Sequence, residues 1–288
     1  MNLAQYFKQK LTTKKQMIKN KRILITGVGS IGSEIARQLA PNNKLFLLDI
    51  SENAYGLSQE LSQKGYWVKP RVGDIRDQKT VTDLFIDFKP QIVIHSAALK
   101  EVGAMQLYPN EAIQTNIVGL QNVLHEAYKW ECLEKFLFIS SDKATNLDSI
   151  MGASKRFGEV LVKNAGGISV RFGNVLGSRG SLTQIWQRQY DNGEPLTVTD
   201  EKMTRYMMSI KEACSLVITA LEQGKSGETW IMKMGEKYNI LELAKEITKK
   251  TGQEIKIIGI REGETLTENL MFHEEWQRQR EIANFYIV

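Results

Sequence analysis

An acid and a base stand side by side in this sequence: Asp142 is followed directly by Lys143, and Ser141 precedes them. Met151 and Lys155 come next, separated by three residues. A carboxyl group and an amine in adjacent positions can act together as general acid and general base on one substrate. The same pair could equally form an exposed turn, so the surrounding elements must decide between the two interpretations.

Strand and helix patterns alternate from Arg22 onward. Short apolar runs predict six strands, at 22–26, 44–49, 66–72, 91–95, 135–140 and 167–172. Amphipathic segments between them predict helices at 30–40, 52–64, 78–88, 110–129 and 152–164. This rhythm predicts an α/β fold, a doubly wound parallel Rossmann sheet. Asp142 and Lys143 would then follow the fifth strand, at the edge of the sheet where such folds bind ligands.

A glycine-rich loop joins the first strand to the first helix. Gly27 permits a tight turn, Gly29 lets the backbone approach a pyrophosphate, and Gly32 allows close packing of helix on strand. Ser30 and Ile31 lie between these glycines at the helix N-terminus, whose free N–H groups can bind phosphate. The loop therefore predicts a dinucleotide site.

Asp49, at the end of the second strand, identifies the dinucleotide. A carboxylate there accepts a hydrogen bond from a ribose hydroxyl and repels a 2′-phosphate, so it favours NAD over NADP. The alternative is a helix N-terminal acid or a turn residue. Asp74 and Ile75 follow the third strand, where the adenine would lie, and the small residues Ala97 and Ala98 leave room for the cofactor after the fourth strand.

The pattern loosens after Phe172. Helices are predicted at 182–191, 211–223 and 240–251, and short strands at 195–198, 229–232 and 254–260. This part is too irregular for an independent domain. We therefore predict a basic arm at 1–21, an NAD-binding Rossmann domain at 22–172, and a smaller C-terminal substrate-binding lobe at 173–288. The lobe would be interleaved with the Rossmann domain and cap the carboxyl ends of the sheet.

Charge is unevenly distributed along the 288 residues. Seven of the 38 basic residues lie within 1–22, which holds no acid, so 31 remain against 33 acidic residues and the body is near −2. That balance argues against a nucleic-acid-binding body. In the arm, Leu3, Phe7 and Leu11 form one apolar stripe beneath lysines. Packing on the body or a neighbouring subunit is the favoured interpretation, and contact with an anionic membrane surface is the alternative.

The two cysteines, Cys132 and Cys214, match no metal-ligand spacing, so the sequence predicts no metal site and reduced thiols. No apolar run approaches the roughly 20 residues of a membrane span. We therefore expect a soluble, cytoplasmic protein.

Seven segments together resemble the extended short-chain dehydrogenase/reductases, and more closely the UDP-N-acetylglucosamine 4,6-dehydratases of bacterial polysaccharide biosynthesis. They are HSAALKEV (95–102), EAIQTNIVGLQNVL (111–124), ISSDKATN (139–146), MGASKR (151–156), RFGNVLGSRGS (171–181), MTRYMMSI (203–210) and REGETLTENL (261–270). The phosphate loop is one residue shorter than is usual in that family, and Glu101 stands where many relatives have histidine. Residues 272–288 carry no part of the resemblance.

The resemblance implies a reaction of NAD with UDP-N-acetylglucosamine. Hydride leaves carbon 4 of the hexose for NAD, and the resulting ketone acidifies the proton on carbon 5. A base then removes that proton while an acid helps the carbon-6 hydroxyl to leave, and hydride returns to carbon 6. By resemblance, Asp142 is the acid and Lys143 is the base at carbon 5. Our hypothesis for Lys155 is that it fixes the nicotinamide ribose and lowers nearby pKa values.

Met151 replaces the tyrosine of ordinary short-chain dehydrogenases, so the group that takes the carbon-4 hydroxyl proton is left open. Ser141 could orient that hydroxyl and relay its proton through water or Lys155, or Lys143 could serve both steps. By resemblance, methionine at this position indicates retention of configuration at carbon 5.

The proposed roles need a neutral Asp142 beside a neutral Lys143. Reference pKa values about 6.5 units apart put that tautomer about 9 kcal/mol above the ion pair in water. Burial penalises both charges, and Lys155 together with the nicotinamide cation would lower the pKa of Lys143. We therefore expect a dry, enclosed pocket around both residues.

The resemblance also assigns six residues to the substrate. Lys100 would face the sugar, Asn174 and Ser181 the nucleotide-sugar, Arg205 and Arg261 the diphosphate, and Glu264 the UDP ribose. Guanidinium groups suit the diphosphate because they pair bidentately with phosphate oxygens. Relatives associate through helices that flank the sheet, so a homo-oligomer is expected.

Two other functions remain open at this point. A UDP-sugar 4-epimerase shares the fold and the first oxidation, but it has no need for Asp142 and Lys143 and normally depends on the missing tyrosine. A non-catalytic NAD-sensing protein would need neither Lys155 nor the substrate-side arginines. The residues therefore favour the dehydratase.

Overall fold

The computed structural model describes residues 18–288, so residues 1–17 of the predicted basic arm lie outside the described part of the chain. The strands are β1 (Arg22–Thr26), β2 (Lys44–Asp49), β3 (Val68–Val72), β4 (Ile92–His95), β5 (Lys135–Ile139), β6 (Ile168–Arg171), β7 (Asn174–Leu176), β8 (Leu196–Val198), β9 (Thr204–Arg205), β10 (Met207–Ser209), β11 (Thr229–Met232), β12 (Tyr238–Asn239), β13 (Ile255–Ile257), β14 (Arg280–Ile282) and β15 (Phe285–Ile287). The α-helices are α1 (Ser30–Leu39), α2 (Asn53–Gln63), α3 (Gln78–Phe88), α4 (Val102–Leu107), α5 (Pro109–Ala112), α6 (Leu120–Ala127), α7 (Ile150–Asn164), α8 (Leu182–Asp191), α9 (Ile210–Gln223), α10 (Ile240–Thr251) and α11 (His273–Arg278).

The main sheet has nine strands in the order β14-β15-β11-β6-β5-β4-β1-β2-β3. Strands β1 to β6 run parallel in the order 3-2-1-4-5-6, which is the doubly wound Rossmann arrangement and confirms the predicted fold class. The strand order reverses between β1 and β4. The parallel strands on both sides of this reversal have their carboxyl ends at the same edge of the sheet. The loops after β1, β2, β4 and β5 therefore meet at that edge, next to the point of reversal.

The sheet extends beyond the six strands expected from the sequence. β11 was expected in the substrate-binding lobe, but it pairs in parallel with β6 as a seventh parallel strand of the main sheet. The C-terminal residues, also predicted to belong to the lobe but with no predicted strand, form the antiparallel pair β14–β15 on the edge next to β11. The chain therefore returns to the Rossmann sheet after building the lobe.

Hydrophobic side chains pack on both faces of the main sheet. Along β1, Ile23 and Ile25 belong to one buried cluster and Leu24 to the other, as expected when successive side chains point to opposite faces. A third cluster lies outside the sheet, in the lobe, and includes Trp186 of α8 and Leu243 of α10. The lobe thus has a small core of its own.

A buried charge cluster attaches the C-terminal helix to the sheet. Arg171, at the end of β6, is 0% exposed and lies between two carboxylates, Glu159 of α7 and Glu275 of α11. Its Nη2 lies 2.6 Å from Glu159 and its Nη1 lies 2.8 Å from Glu275. Arg171 also donates to the carbonyl oxygen of Leu270, so it fixes the end of the loop that runs from β13 to α11.

None of the helices formed by residues 18–288 is both long enough and apolar enough to cross a membrane. Within the same residues, no three histidine, cysteine or acidic side chains lie together as a metal site would require.

Candidate active site

A cleft of about 820 Å³ opens at the carboxyl ends of the parallel strands, between the sheet and the lobe. Almost all the residues singled out from the sequence line it: Gly27, Gly29, Ser30, Ile31, Asp49, Asp74, Ile75, Ala97, Ala98, Lys100, Ser141, Lys143, Met151, Lys155, Asn174, Ser181, Arg205, Arg261 and Glu264. Gly32 and Asp142 are the two that do not. The fold therefore brings residues that lie far apart in the sequence around one cavity.

The glycine loop has the geometry that a dinucleotide needs. Gly27 has a φ of +81°, and a Cβ there would lie 2.4 Å from the backbone nitrogen of Ala97. A Cβ on Gly32 would lie 2.0 Å from the carbonyl oxygen of Gly27, so this glycine serves packing and not the cleft. A Cβ on Gly29 would meet nothing within 4 Å. The N-terminus of α1 has no side-chain cap, which leaves its N–H groups free for a phosphate.

Asp49 is held in place from both sides at the end of β2. Its Oδ2 accepts from the backbone N–H of Val28 at 2.5 Å, and its Oδ1 accepts from the N–H and hydroxyl of Ser51. Asp74 after β3 is paired with Arg76, and Arg76 also reaches a carboxylate of α5. Asp49 and Asp74 both line the cleft, and contact of these residues with the adenosine half of NAD stays a prediction.

Asp142 and Lys143 lie in a buried 3₁₀ turn, Asp142–Thr145, directly after β5. Asp142 is 0% exposed, and its Oδ1 accepts from Lys143 Nζ at 3.1 Å and from Ser141 Oγ at 3.0 Å. Lys143 has a side chain 18% exposed, lines the cleft, and also donates to Asn174 Oδ1 at 2.9 Å. The interpretation as an exposed turn is therefore wrong.

The charge on Lys143 differs from the sequence-based expectation. Burial lowers the pKa of Lys143, as expected, but the carboxylates of Asp142 and Glu268 raise it by more, against an opposing effect of Arg205. The net pKa of Lys143 lies above its ordinary value, so the protein alone favours the protonated amine and not the neutral amine that the role of base requires. The expectation of a lowered pKa considered the nearby cations and overlooked Glu268.

Helix α7 packs closely against the 3₁₀ turn Asp142–Thr145. A Cβ on Gly152 would lie 2.3 Å from the carbonyl oxygens of Lys143 and Asn146, so only glycine lets the helix approach so closely. Met151 is buried at the cleft wall. Lys155, one helical turn further, donates to the carbonyl oxygen of Ile139 at 2.8 Å. Burial lowers the pKa of Lys155 to about 8.

A π-helical segment, Ile113–Gly119, interrupts the helix predicted at 110–129. Such segments are rare and often occur near functional sites. Here Asn116 exchanges hydrogen bonds with the backbone N–H and carbonyl of Leu99 and donates to Ser154. It therefore ties the loop after β4, which carries the small cleft-lining residues Ala97 and Ala98, to α7.

The lobe contributes the opposite wall of the cleft. Ser181 precedes α8, and Arg261 and Glu264 lie on one turn in which the Arg261 N–H donates to the Glu264 carboxylate. Lys100 donates to the carbonyl oxygen of Arg179 and is exposed.

Arg205 is buried at this wall, and its guanidinium donates to the carbonyl oxygens of Thr204, Thr265 and Leu266. Backbone acceptors therefore occupy much of its donor capacity, unlike that of the exposed Arg261. Binding of a diphosphate by Arg205 stays a prediction.

Several residues at the site were not singled out from the sequence. Glu268, Asn116 and Gly152 lie inside segments that carried the family resemblance, which was the available signal. Nothing in the pattern distinguished them from their neighbours. His95 ends a predicted strand and begins the segment HSAALKEV, but the sequence gives it no role of its own.

His95 lies at the end of β4, beneath the cleft, and is 1% exposed. Its ring lies 6.3 Å from that of Phe136 and 6.0 Å from that of Phe138, and its Nδ1 is 2.9 Å from Thr26 Oγ1. Burial, with a smaller effect of the Lys155 charge, lowers the pKa of His95 to about 3. The folded protein therefore keeps this imidazole neutral.

We expect this buried histidine to make the protein acid-sensitive. The unfolded chain takes up a proton near pH 6.5 but the folded protein only near pH 3, so stability falls as the pH drops through that window. Between about pH 7.5 and about pH 5 the loss from His95 should be about 2 kcal/mol. Urea unfolding of the wild type and of His95→Phe at both pH values measures it. An equal loss in the variant would contradict the assignment.

Comparison with known proteins gives consistent matches. A family model described as polysaccharide biosynthesis protein matches residues 23–288. The chain is 40% identical to the capsular polysaccharide biosynthesis protein CapD of Staphylococcus aureus, over 93% of this chain and 48% of CapD. It is 39% identical to the probable polysaccharide biosynthesis protein EpsC of Bacillus subtilis, over 94% of this chain and 48% of EpsC. The chain thus spans about half the length of these two curated relatives.

Three further matches cover most of both chains. The UDP-glucose 4-epimerase of Rickettsia bellii is 32% identical over 94% of this chain and 83% of that enzyme. The X-ray structure of Pen from Bacillus thuringiensis is 33% identical, has a TM-score of 0.87, and covers 94% of this chain and 88% of that chain. The dTDP-glucose 4,6-dehydratase DesIV from Streptomyces venezuelae, solved with NAD bound, has a TM-score of 0.77 at 19% identity, which shows a shared fold.

Proposed function

The chain belongs to the polysaccharide biosynthesis protein family and has the extended short-chain dehydrogenase/reductase fold, and from this premise we propose that it is an NAD-dependent UDP-N-acetylglucosamine 4,6-dehydratase. The product would be a UDP-4-keto-6-deoxy-N-acetylhexosamine with carbon-5 configuration retained. The observation that carries the proposal is the pair of Asp142, buried behind the cleft, and Lys143, which lines the cleft and donates to Asn174. An epimerase has no use for this pair.

The cofactor is NAD, which supplies oxidation at carbon 4 and the return of the same hydrogen at carbon 6. The open space over Gly29 and the uncapped N-terminus of α1 fit its pyrophosphate, and the carboxylate of Asp49 fits an unphosphorylated ribose. Lys155, with its pKa lowered to about 8, lies on the catalytic side of the same cleft.

Hydrogen bonds around Ser141 support a specific route for the carbon-4 proton. Ser141 Oγ donates to Asp142 Oδ1, whereas Lys155 donates to a backbone carbonyl. A sugar hydroxyl that donates to Ser141 would therefore pass its proton towards Asp142, not towards Lys155. Asp142 would become neutral, as an acid for the departing carbon-6 hydroxyl must be.

The same proton transfer prepares Lys143 as the base. While Asp142 is charged, its carboxylate favours the protonated form of Lys143. Neutralising Asp142 removes that attraction, and a substrate that fills the cleft removes the remaining solvent from the amine. Both changes lower the pKa of Lys143, so that its ammonium group would release a proton to bulk water and the resulting neutral amine could take the carbon-5 proton.

The test is to incubate the protein with UDP-N-acetylglucosamine and catalytic NAD in deuterated water and to follow the sugar by NMR. We expect loss of one water and a new 6-methyl signal, with coupling constants that report carbon-5 configuration. A 4-epimer would identify an epimerase, as the name of the Rickettsia bellii relative suggests. If the sugar is unchanged although NAD is bound, two functions would be left: an enzyme that acts on a different nucleotide-sugar, or a protein that senses NAD without catalysis.

A further inference from the structure

Glu268 is a buried carboxylate to which the reaction outlined above gives no role. Its side chain is 3% exposed, yet it lines the cleft. Its Oε1 lies 3.7 Å from Lys143 Nζ, and its Oε2 has no hydrogen-bond partner. A buried carboxylate costs free energy unless a positive charge balances it, so the neighbouring cations indicate what Glu268 does.

Within residues 18–288, two cations lie at ion-pair distance from Glu268: Lys143 at 3.7 Å and Arg205 at 3.8 Å. Arg205 is tied to the carbonyl oxygens of Thr204 and of residues 265–266. Arg205 can offset part of the charge on Glu268, but the hydrogen bonds to these backbone carbonyls hold its guanidinium in place. Lys143 is therefore the nearby cation whose position and protonation can respond to Glu268.

Lys143 lies between two carboxylates on different elements. Asp142 belongs to its own 3₁₀ turn, whereas Glu268 comes from the loop before α11. The other groups that face the amine are the neutral amide of Asn174 and the guanidinium of Arg205. If Asp142 becomes neutral during the reaction, Glu268 is the one anion among residues 18–288 left within ion-pair distance of the amine.

We propose that Glu268 is a positioning residue for Lys143, holding the amine at the cleft wall and setting how readily it releases its proton. The role rests on the proposed dehydration, in which Lys143 is the base. It also connects the base to the loop that carries Arg261 and Glu264, so a substrate that contacts this loop would act on the base through Glu268.

The direct test measures the protonation of Lys143 without any reaction. Protein labelled with ¹³C at the lysine Cε positions is titrated by NMR, and the Lys143 signal is assigned by its loss in Lys143→Met. In Glu268→Gln we expect Lys143 to lose its proton at a pH lower by about one to three units, because an opposite charge at this distance has been removed. An unchanged titration would overturn the proposal.

Two further variants separate a specific effect from a general one. Glu262→Gln removes one negative charge from the exposed part of the same loop and should leave the Lys143 titration unchanged. Glu268→Asp keeps the negative charge but moves it one methylene further from the Lys143 amine. It should therefore lower the pH at which Lys143 loses its proton by less than Glu268→Gln does. If Glu268→Gln does not fold, Glu268→Asp still tests the proposal. A Lys143 titration in Glu268→Asp that is the same as in the wild type would show that Glu268 does not influence Lys143.

The pH dependence of turnover gives a second readout. With a less basic Lys143, the acidic limb of the kcat profile should move to lower pH in Glu268→Gln, while the plateau falls because a weaker base reacts more slowly. A merely structural role would lower kcat without moving the limb. If the titration shifts but UDP-N-acetylglucosamine is not dehydrated, the proposed function fails and the hold of Glu268 on Lys143 stands.

Discussion

Lys143→Met should lower the rate of dehydration about a hundredfold to ten-thousandfold, the range expected when a general base is removed. Methionine keeps much of the length of the side chain but cannot accept a proton. The Lys143 amine is where Asp142, Asn174 and the cleft meet, so no other group stands in the same place. The measurement is the initial rate of 4-keto product formation, together with deuterium incorporation at carbon 5 of recovered substrate.

Controls must separate lost chemistry from lost structure. In the proposed reaction Lys143 contacts the sugar and not the cofactor, so Lys143→Met should still bind NAD with unchanged affinity. Lys211→Met, an exposed lysine at the start of α9, should keep the wild-type rate. Turnover near the wild-type value in Lys143→Met would remove Lys143 from the role of base. Deuterium exchange that persists while product formation stops would assign Lys143 to a different step.

Arg171→Met should destabilise the fold by about 3–5 kcal/mol, because it leaves the carboxylates of Glu159 and Glu275 buried without their main partner. Arg156 touches both carboxylates but lies partly in solvent and cannot replace the five hydrogen bonds of Arg171. Urea unfolding, followed by circular dichroism, measures the loss.

The matched comparison is Arg188→Met, which removes an exposed arginine from α8 and should change stability by less than about 0.5 kcal/mol. A triple variant, Arg171→Met with Glu159→Gln and Glu275→Gln, should recover part of the loss, because the buried charges are then gone. If Arg171→Met alone unfolds at the same urea concentration as the wild type, the charge cluster contributes nothing to the stability of the fold. Arg171 also holds Leu270, so we expect weaker substrate binding in this variant.

Much of the predicted dinucleotide-binding part of the cleft could be read from the sequence. Gly27, Gly29 and Asp49, which the sequence predicts to bind the dinucleotide, line one cleft because their positions depend on local order: a strand, a turn and a helix that follow each other directly. Turn geometry and helix N-termini are local properties, and the alternation of apolar runs fixes the faces of the sheet. The parallel sheet and its helices followed from the same local signals.

The extent of the sheet could not be read in this way. β11 looks like any short strand, and its place beside β6 depends on where the lobe ends and how the chain returns. The edge pair β14–β15 completes that return, and the buried cluster around Arg171 attaches its neighbouring helix. Such long-range pairings carry no short-range pattern.

The sequence by itself determined the fold class, the dinucleotide loop and the adjacency of Asp142 and Lys143, because each depends on neighbours in the chain. Only the tertiary structure decided the electrostatics of that pair. It buried Asp142 behind the cleft, left Lys143 at the wall, and brought Glu268 to 3.7 Å from the amine. The charge on an amine depends on every group within a few ångströms in space, and Glu268 is distant from Lys143 in the sequence.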